Sequence, residues 1–428
     1  MSLGDSMIHS KDIFIFNEKK DVTSKLQNLI DKYDDIIIDS GTYLVSSLFI
    51  KSNKKIKFDN VIIKGTDDES KYKLINTRVA GIEMDWYPAI INIIDSSNVE
   101  ISGNLDIIGA GEYFYNKYWG LDTLGGMRKD YDKKGLRWAC DYDCKRVRNV
   151  LIQNSSNIKI ADMTLRNSGF WNMHILYSND VVVENVKVYS DSKIAPSTDG
   201  IDVDSSYNIK LSNLILSTND DNISIKSGRD FDGIRVNRPS HDISINNCRI
   251  LKGYGITIGS EVSGGVYNVD IKHIKCENTS CGFRIKSSKP RKGYIRNIKV
   301  EDVELTNVKY AFHLFLNWNP AYSICKIPSN YKGEIPPFWN TLTKNVDDNI
   351  SNTKVSNITF NNIYGNVERI FTIYGFDDVN ISDLEFNNIK IDAKEYGIIN
   401  NTNNLKYNNV ILNYKYIHLK ENDDFDNR

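Results

Sequence analysis

A four-residue pattern recurs along this chain and restricts its fold more than any other feature. Each copy has Asn or Asp, then an aliphatic residue, any residue, and an aliphatic or aromatic residue. The copies begin at Asn98, Asn157, Asp180, Asn208, Asp242, Asn268, Asn297, Asn357, Asp378 and Asn404. Most successive copies are 21 to 34 residues apart, and two intervals are about twice as long. Periods of this size are typical of solenoids and other repeat architectures.

The repeats predict stacked strands. Apolar residues alternate with period two and are mainly Val, Ile and Tyr, which argues against helical repeats. One unit cannot bury its apolar side chains alone, whereas stacked units bury a continuous column. We therefore predict an all-β parallel β-helix, with corner Asn side chains hydrogen-bonded to the next coil. A β-propeller is the structural alternative, but its blades need about 40 to 45 residues and four strands.

Residues 21–33 carry apolar side chains at helical spacing, with Asp21 as the predicted N-cap. Such a helix either caps the open end of the stacked core or lies on its surface. Strand-like runs follow at 36–38, 43–49 and 56–63. We expect residues 1–50 to form a leader, the helix and the first strands. Residues 51–420 would form the β-helix, and 421–428 a disordered tail.

Two segments interrupt the rhythm of the repeats, at 112–148 and 313–349, and both are rich in aromatic residues. Loops of this length are uncommon unless they are functional. We expect them to line a groove on the solenoid, with Trp318 available to stack on a sugar ring. The alternative is that their aromatic side chains pack on the solenoid's flank.

Composition excludes several classes of function. The net charge is -1, so no long-range field favours nucleic acid or an anionic membrane. The six cysteines form no Cys-x-x-Cys pair and the six histidines do not cluster, which makes a zinc site unlikely. No apolar run is long enough to span a membrane, and Met1–Asp12 lacks the core of a signal peptide. We expect a monomer without a cofactor, secreted if a signal was removed and otherwise cytoplasmic.

Two acidic turns, around Asp199 and Asp221, occupy equivalent places in successive repeats. The apolar phase aligns four coils, with Ile201, Ile223, Ile256 and Phe283 pointing inward. One column, just before the strand of each coil, then contains Asp199, Asp221, Tyr254 and Cys281. Side-chain alternation sends Asp202, Ser224, Thr257 and Arg284 outward, and Asp204, Lys226, Gly259 and Lys286 form a second outward column.

Strict alternation would place the carboxylates of Asp199 and Asp221 in the apolar core, at a very high cost in free energy. The chain must therefore bend before Ile201 and Ile223, which lifts both aspartates onto the surface. The expected surface patch combines carboxylates with cations and consists of Asp199, Asp202, Asp220, Asp221, Arg284 and Lys286.

Crowded carboxylates push one another's pKa values apart, so that one stays protonated while another is ionised. Hydrolysis of a glycosidic bond needs such an acid and base. Arg284 and Lys286 face the same way and can grip a substrate carboxylate. Two other readings remain open here. One is a solvated charge ladder with Asp204–Lys226 as an ordinary ion pair, and the other is a calcium site built from the stacked acids.

The order of these motifs resembles the polygalacturonase family, glycoside hydrolase family 28. The matching residues are Ser197-Thr198-Asp199, Asp220-Asp221, Gly253-Tyr254-Gly255 and Arg284-Ile285-Lys286. The resemblance implies a single-stranded right-handed parallel β-helix that hydrolyses α-galacturonosyl linkages of pectin with inversion. By position it makes Asp220 the general acid and lets Asp199 and Asp221 hold the attacking water as base. Arg284 and Lys286 would bind the galacturonate carboxylate at the cleavage subsite.

Tyr254 stands where the family has His, which puts plain endo-polygalacturonase activity in doubt. The family's rhamnogalacturonan-cleaving branch also lacks this His and uses extra acids near the position of Asp202, so we count Tyr254 and Asp202 as substrate contacts. The long aromatic loops predict exo-action or oligosaccharide substrates. The rival functions are a calcium-dependent polysaccharide lyase and a non-catalytic carbohydrate-binding β-helix.

Overall fold

Strands dominate this protein, a computed structural model of which describes residues 8–12, 20–121, 125–377 and 381–417. The strands are β1 Ile8–His9, β2 Asp35–Ile38, β3 Gly41–Val45, β4 Leu48–Phe49, β5 Lys54–Gly65, β6 Ile75–Val79, β7 Ile82–Trp86, β8 Ile91–Ile94, β9 Ser97–Ile108, β10 Val150–Gln153, β11 Ser156–Ala161, β12 Met163–Arg166, β13 Met173–Leu176, β14 Asn179–Glu184, β15 Lys187–Ser190, β16 Ile201–Asp204, β17 Tyr207–Thr218, β18 Ile223–Lys226, β19 Ser240–Lys252, β20 Ile256–Ile258, β21 Val266–Glu277, β22 Cys281–Lys286, β23 Tyr294–Phe315, β24 Lys354–Tyr374, β25 Ile381–Asn400 and β26 Thr402–Tyr416.

The helices are short and lie mostly in the connections. The α-helices are α1 Thr23–Lys32, α2 Gly111–Trp119, α3 Gly126–Lys133, α4 Arg137–Asp143, α5 Asp230–Val236, α6 Pro320–Ser323 and α7 Pro337–Leu342. Short 3-10 helices occupy Ser10–Asp12, Glu69–Lys71 and Lys289–Arg291. Within the described ranges, no helix has the length and apolar character needed to cross a bilayer.

All strands except the antiparallel hairpin β6–β7 join one 24-stranded parallel sheet that winds into a β-helix. Successive coils pair in the register that the apolar phase predicts: Ile201 pairs with Ile223, Ile223 with Ile256, and Ile256 with Phe283. The inward side chains form one continuous core along the helix axis. The predicted fold class is therefore confirmed.

The recurrent Asn residues form the predicted corner ladder. Asn157 and Asn297 have φ of 54° and 57°, in the left-handed region that Asn tolerates better than most residues. The Nδ2 of Asn157 donates to Oδ1 of Asn98 at 2.8 Å, and the Nδ2 of Asn357 donates to Oδ1 of Asn297 at 2.8 Å. Two predictions, the repeat copy at Asp378 and the disordered tail 421–428, lie outside the described residues.

The predicted N-terminal helix is present as α1. Leu26, Leu29 and Ile30 on its buried face belong to the solenoid core, as expected of a capping helix. The N-cap position falls on Val22 and not on Asp21, because the backbone of Asp21 forms a bridge with Leu44. The Asp21 carboxylate nevertheless accepts a hydrogen bond from the amide of Thr23 at 2.9 Å.

The two long insertions meet and form a roof over one face of the β-helix. The ring centroids of Trp138 and Trp339 lie 5.2 Å apart, edge to face. The Nε1 of Trp339 donates to Oδ1 of Asp143 at 3.0 Å, and the Nε1 of Trp138 donates to the carbonyl of Lys326 at 3.1 Å. Trp86 of the β6–β7 hairpin belongs to the same apolar cluster, which is separate from the main core. We call these segments, 111–143, 318–342 and the β6–β7 hairpin, the roof.

Candidate active site

The two acidic turns lie side by side on successive coils, as the repeat predicts. The amide of Gly200 donates to the carbonyl of Asp221 at 2.8 Å, which stacks the bend before β16 on the bend before β18. A Cβ on Gly200 would come within 2.3 Å of the Asn222 carbonyl oxygen, so only glycine permits this approach. Carboxylate oxygens of Asp199, Asp220 and Asp221 lie within 4.8 Å of one another.

The expected surface patch is instead a buried cluster. Asp199 is 3% exposed, Asp202 and Asp221 are 0% exposed, and only Asp220 is half-buried. The bends do turn Asp199 and Asp221 away from the apolar core, but Arg284 and Lys286 contact Asp221, and Lys226 lies 3.6 Å from Asp199. Burial strengthens every electrostatic interaction in this cluster, because water screens it less.

Asp221 is held by two cations. The Nζ of Lys286 lies 2.8 Å from Oδ2 of Asp221, Arg284 contacts the other oxygen, and the Thr257 hydroxyl donates to that same oxygen at 2.8 Å. Burial by itself would raise the pKa of Asp221, but Arg284 and Lys286 outweigh it and hold this pKa below the ordinary value. Asp221 is therefore an anion at neutral pH.

Asp199 and Asp202 show the opposite behaviour. Burial, followed by the nearby charge of Asp220, raises the pKa of Asp199 to about 8, although Lys226 lies 3.6 Å away and opposes the shift. Burial and Asp199 raise the pKa of Asp202 well above its ordinary value. The cluster therefore combines protonated carboxyls with the ionised Asp221, the division that crowding predicts.

Asp204 and Lys226 do not form the ordinary exposed ion pair of the charge-ladder alternative, which is therefore wrong. They are neighbours in the register, but both are buried and have other partners. Arg78 from the β6–β7 hairpin donates to Asp204 at 2.9 Å. The ammonium of Lys226 lies 3.6 Å from Asp199 and Asp202 and 3.3 Å from Glu261.

A pocket opens beside this cluster, with about 720 Å³ of empty space when the open solvent at its mouth is included. Its walls combine residues of the coils with aromatic residues from the roof and from the turn before β13. Six predicted site residues line the pocket: Asp199, Asp220, Tyr254, Arg284, Lys286 and Trp318. Asp202 and Asp221 lie behind this wall, and Asp221 is screened by Arg284 and Lys286.

Comparison with known proteins decides the family. The model of glycosyl hydrolases family 28 matches residues 53–329. The chain belongs to this family.

Similar proteins fit this assignment. A probable polygalacturonase of Vitis vinifera is 32% identical over 171 residues, which are 40% of this chain and 35% of that protein. An endo-polygalacturonase of Pectobacterium parmentieri is 32% identical over 196 residues, 44% of this chain and 46% of that protein. The chain thus spans less than half the length of these relatives. A Thermotoga maritima exopolygalacturonase structure has a TM-score of 0.75 at 23% identity, covering 96% of this chain and 92% of its own.

Tyr254 is the main departure of this family 28 member from the motif order. Its ring lies under the guanidinium of Arg284, with Cζ 4.1 Å from the ring centroid. Trp318 plays a similar part for Lys286, whose Nζ is 4.4 Å from the Trp318 ring centroid. Both aromatic rings therefore position the cations that the motifs assign to the substrate carboxylate.

Glu261 also lines the pocket, and the sequence reasoning missed it. Its carboxylate accepts a hydrogen bond from Ser260 at 2.9 Å and lies near Lys226. Burial acts to raise the pKa of Glu261, but Lys226 and Arg291 lower it to about 2. Glu261 lies beyond the end of β20, where strand alternation gives no direction for a side chain. The one indication in the sequence that Glu261 belongs to the site is its position one coil after Lys226.

The three clustered aspartates suit calcium poorly. Calcium takes six to eight oxygen ligands. Here Asp221 is occupied by Arg284 and Lys286, and Lys226 lies 3.6 Å from Asp199. A divalent cation would have to sit among three protein cations.

Proposed function

We propose that the protein hydrolyses α-galacturonosyl linkages of pectin, in polygalacturonan or rhamnogalacturonan, and releases sugars from a chain end. One observation carries the proposal: Asp199 and Asp220 line the same pocket as Arg284 and Lys286. This arrangement brings carboxyl groups for acid–base chemistry next to cations that recognise a uronate. The proposal applies to a monomer without a cofactor.

Asp220 is the proposed general acid. It is the half-buried member of the cluster, and its Oδ1 accepts the amide hydrogen of Asp221 at 3.0 Å, which orients the carboxyl group. Asp199 and Asp220 hold one proton between them, because two adjacent carboxylates do not both ionise readily. In the reaction, the bond from the anomeric carbon to the glycosidic oxygen breaks and Asp220 gives this shared proton to that oxygen. Binding of the substrate carboxylate to Arg284 and Lys286 would open room beside Asp221, which these cations cover in the free protein. A water molecule held there by Asp199 and Asp221 bonds to the anomeric carbon, and its proton passes to the ionised Asp221.

The spacing of the carboxylates and the family resemblance predict different stereochemical outcomes. Inverting enzymes usually separate their carboxyl groups by about 6.5–9.5 Å and retaining enzymes by about 5–5.5 Å. The clustered oxygens lie within 4.8 Å of one another. We nevertheless propose inversion. Asp221 lies behind the pocket wall, where the sugar ring does not enter, and Asp199 is protonated at neutral pH, so a water molecule attacks the anomeric carbon in place of either carboxylate.

Arg284 and Lys286 would bind the substrate carboxylate while keeping Asp221 in place. Guanidinium has five N–H donors and ammonium has three, so contact with one carboxylate leaves donors for a second. Trp318 and Tyr254 support these cations and offer ring faces to the sugar. Asp202 would act through Asp199, since it lies behind the pocket wall.

Exo-action rests on the roof. The Trp138–Trp339 contact joins the two insertions above the site. An open groove admits the middle of a polymer, whereas a roofed pocket admits an end. Glu261 and Tyr322 also line the pocket, and the Tyr322 hydroxyl lies 3.3 Å from Oε1 of Glu261.

The test is a screen of polygalacturonan and rhamnogalacturonan oligosaccharides with identification of the products. We expect monouronate release, with the new anomer inverted when followed by NMR. A ladder of intermediate sizes would contradict exo-action. An unsaturated product that disappears with a chelator would favour the lyase. Binding without any cleavage would favour a carbohydrate-binding β-helix.

A further inference from the structure

A second cavity adjoins the active-site pocket. It lies between the first insertion and the loops that precede β16, β18 and β20, and holds about 1020 Å³ of empty space when the open solvent at its mouth is included. Arg137, Ser197 and Asp220 line both cavities, so the two are continuous. We call this second cavity the vestibule. Its own lining includes Trp119, Arg128, Lys193, Asn219 and Lys252.

The vestibule carries an excess of positive charge. Two of its cations are neutralised, since Arg128 donates to Asp132 at 2.8 Å and Arg137 pairs with Asp141. Lys193 and Lys252 have no carboxylate within ion-pair distance in the described part of the chain, although the Lys252 ammonium donates to the carbonyl of Asp191. Two ammonium groups therefore face the cavity with donors to spare.

The loop that carries Lys193 is anchored in the fold. The Nδ2 of Asn219 donates to the carbonyl of Ala195 at 2.9 Å and to that of Lys193 at 3.3 Å. The hydroxyl of Ser217 donates to Asp191 at 2.7 Å. These bonds reach across from the next coil, so they fix the position of the Lys193 backbone relative to Asp220.

We infer that the vestibule binds the carboxylate of the sugar on the leaving side of the cleaved bond. The inference rests on the proposed function, in which Asp220 protonates the oxygen between the released sugar and the leaving sugar. Because Asp220 opens onto both cavities, the substrate passes from the pocket into the vestibule beside it. Lys193 and Lys252 then meet the leaving sugar, and Trp119 offers it a ring.

This arrangement identifies the substrate class. A chain of consecutive galacturonates presents a carboxylate to the vestibule, whereas an alternating chain presents neutral rhamnose. The vestibule lysines therefore favour galacturonate oligomers over rhamnogalacturonan. They select the substrate and take no part in the proton transfers.

The experiment compares digalacturonate with galacturonosyl-rhamnose, which share the released sugar and differ in the leaving sugar. The double variant Lys193→Gln/Lys252→Gln is assayed beside wild type. Lys187→Gln, which changes an exposed lysine on β15 outside both cavities, is the matched control. Lys193 is exposed and Lys252 half-buried, so the double variant should fold, and its thermal unfolding is measured to check this.

We expect wild type to prefer digalacturonate, and the double variant to lose about tenfold or more of that preference, mainly through KM. The control should keep the preference of wild type. An unchanged ratio of kcat/KM in a folded double variant, or a wild-type preference for the rhamnose compound, would overturn this inference alone. Failure of wild type to cleave either compound would overturn the proposed function, and this inference with it.

Discussion

The ammonium of Lys286 lies 2.8 Å from Oδ2 of Asp221, and both side chains are buried. Arg284 contacts the other oxygen of the same carboxylate. One of the three clustered aspartates is thus fixed as an anion, while Asp199 beside it carries a raised pKa of about 8. The two aspartates occupy equivalent places in successive coils. Their pKa values therefore differ because their side-chain partners differ.

Asparagine substitutions at these two positions should affect stability very differently. Asp221→Asn leaves Arg284 and Lys286 buried without their anion and should lower the free energy of unfolding by about 3–5 kcal/mol. Asp199→Asn replaces a carboxyl group that is protonated at pH 6 and should leave the free energy of unfolding unchanged or raise it, because the variant needs no proton uptake on folding. Urea unfolding of both variants at pH 6 measures the difference. Equal losses would contradict the assigned charge states.

The stability of Asp199→Asn relative to wild type should depend on pH. The pKa of Asp199 is raised from 3.8 to about 8, so the folded protein binds more protons than the unfolded chain between these values. Wild type therefore loses stability from this group as pH rises from about 4 to 8. The variant lacks this loss, so its stability relative to wild type should increase between pH 5 and 8. A difference that stays constant over this range would contradict the raised pKa.

Variants at Tyr254 separate the role of the ring from that of the hydroxyl. The ring lies 4.1 Å from Cζ of Arg284. Tyr254→Phe keeps this ring and should retain kcat/KM within about threefold, whereas Tyr254→Ala releases Arg284 and should raise KM by about tenfold, mainly for uronate substrates. Steady-state kinetics on a galacturonate oligomer measure both. An effect of Tyr254→Phe as large as that of Tyr254→Ala would show that the hydroxyl is the important group.

The roof can be opened at Trp339. Trp339→Ala removes the contact with Trp138 and the hydrogen bond to Asp143 and should cost about 3–5 kcal/mol in stability. We expect longer products from polygalacturonan to appear beside the monomer. Tyr364→Ala, at a ring that is 51% exposed, is the control and should change neither property. An unchanged product pattern in a folded Trp339→Ala protein would show that exo-action does not depend on the roof.

The coil register was predictable because it follows from a simple constraint. Ile201, Ile223, Ile256 and Phe283 must all point inward, and only one alignment of four coils allows this. The same alignment placed Asp199 and Asp221 on neighbouring turns. The motif order then indicated the family without further structural information.

The burial of the site was not predictable from alternation. The roof consists of insertions that lack the strand period, so the sequence gives no register for Trp138 against Trp339. The Arg78–Asp204 pair joins residues 126 positions apart through the β6–β7 hairpin. Glu261 likewise follows the end of a strand. These contacts depend on tertiary packing between irregular segments, and they turned an expected surface patch into a buried cluster beside a roofed pocket.

The central claim is that Asp220 gives the proton to the leaving oxygen, and Asp220→Asn tests it most directly. The amide keeps the shape of the carboxyl group but cannot act as an acid. Asp242→Asn, an exposed ladder position where other coils carry Asn, is the matched control. Both variants are assayed for turnover and for binding of a galacturonate oligomer. We predict that Asp220→Asn lowers kcat by about 10²- to 10⁴-fold while binding persists and the control matches wild type. Turnover at the wild-type rate in a folded Asp220→Asn protein would contradict the account.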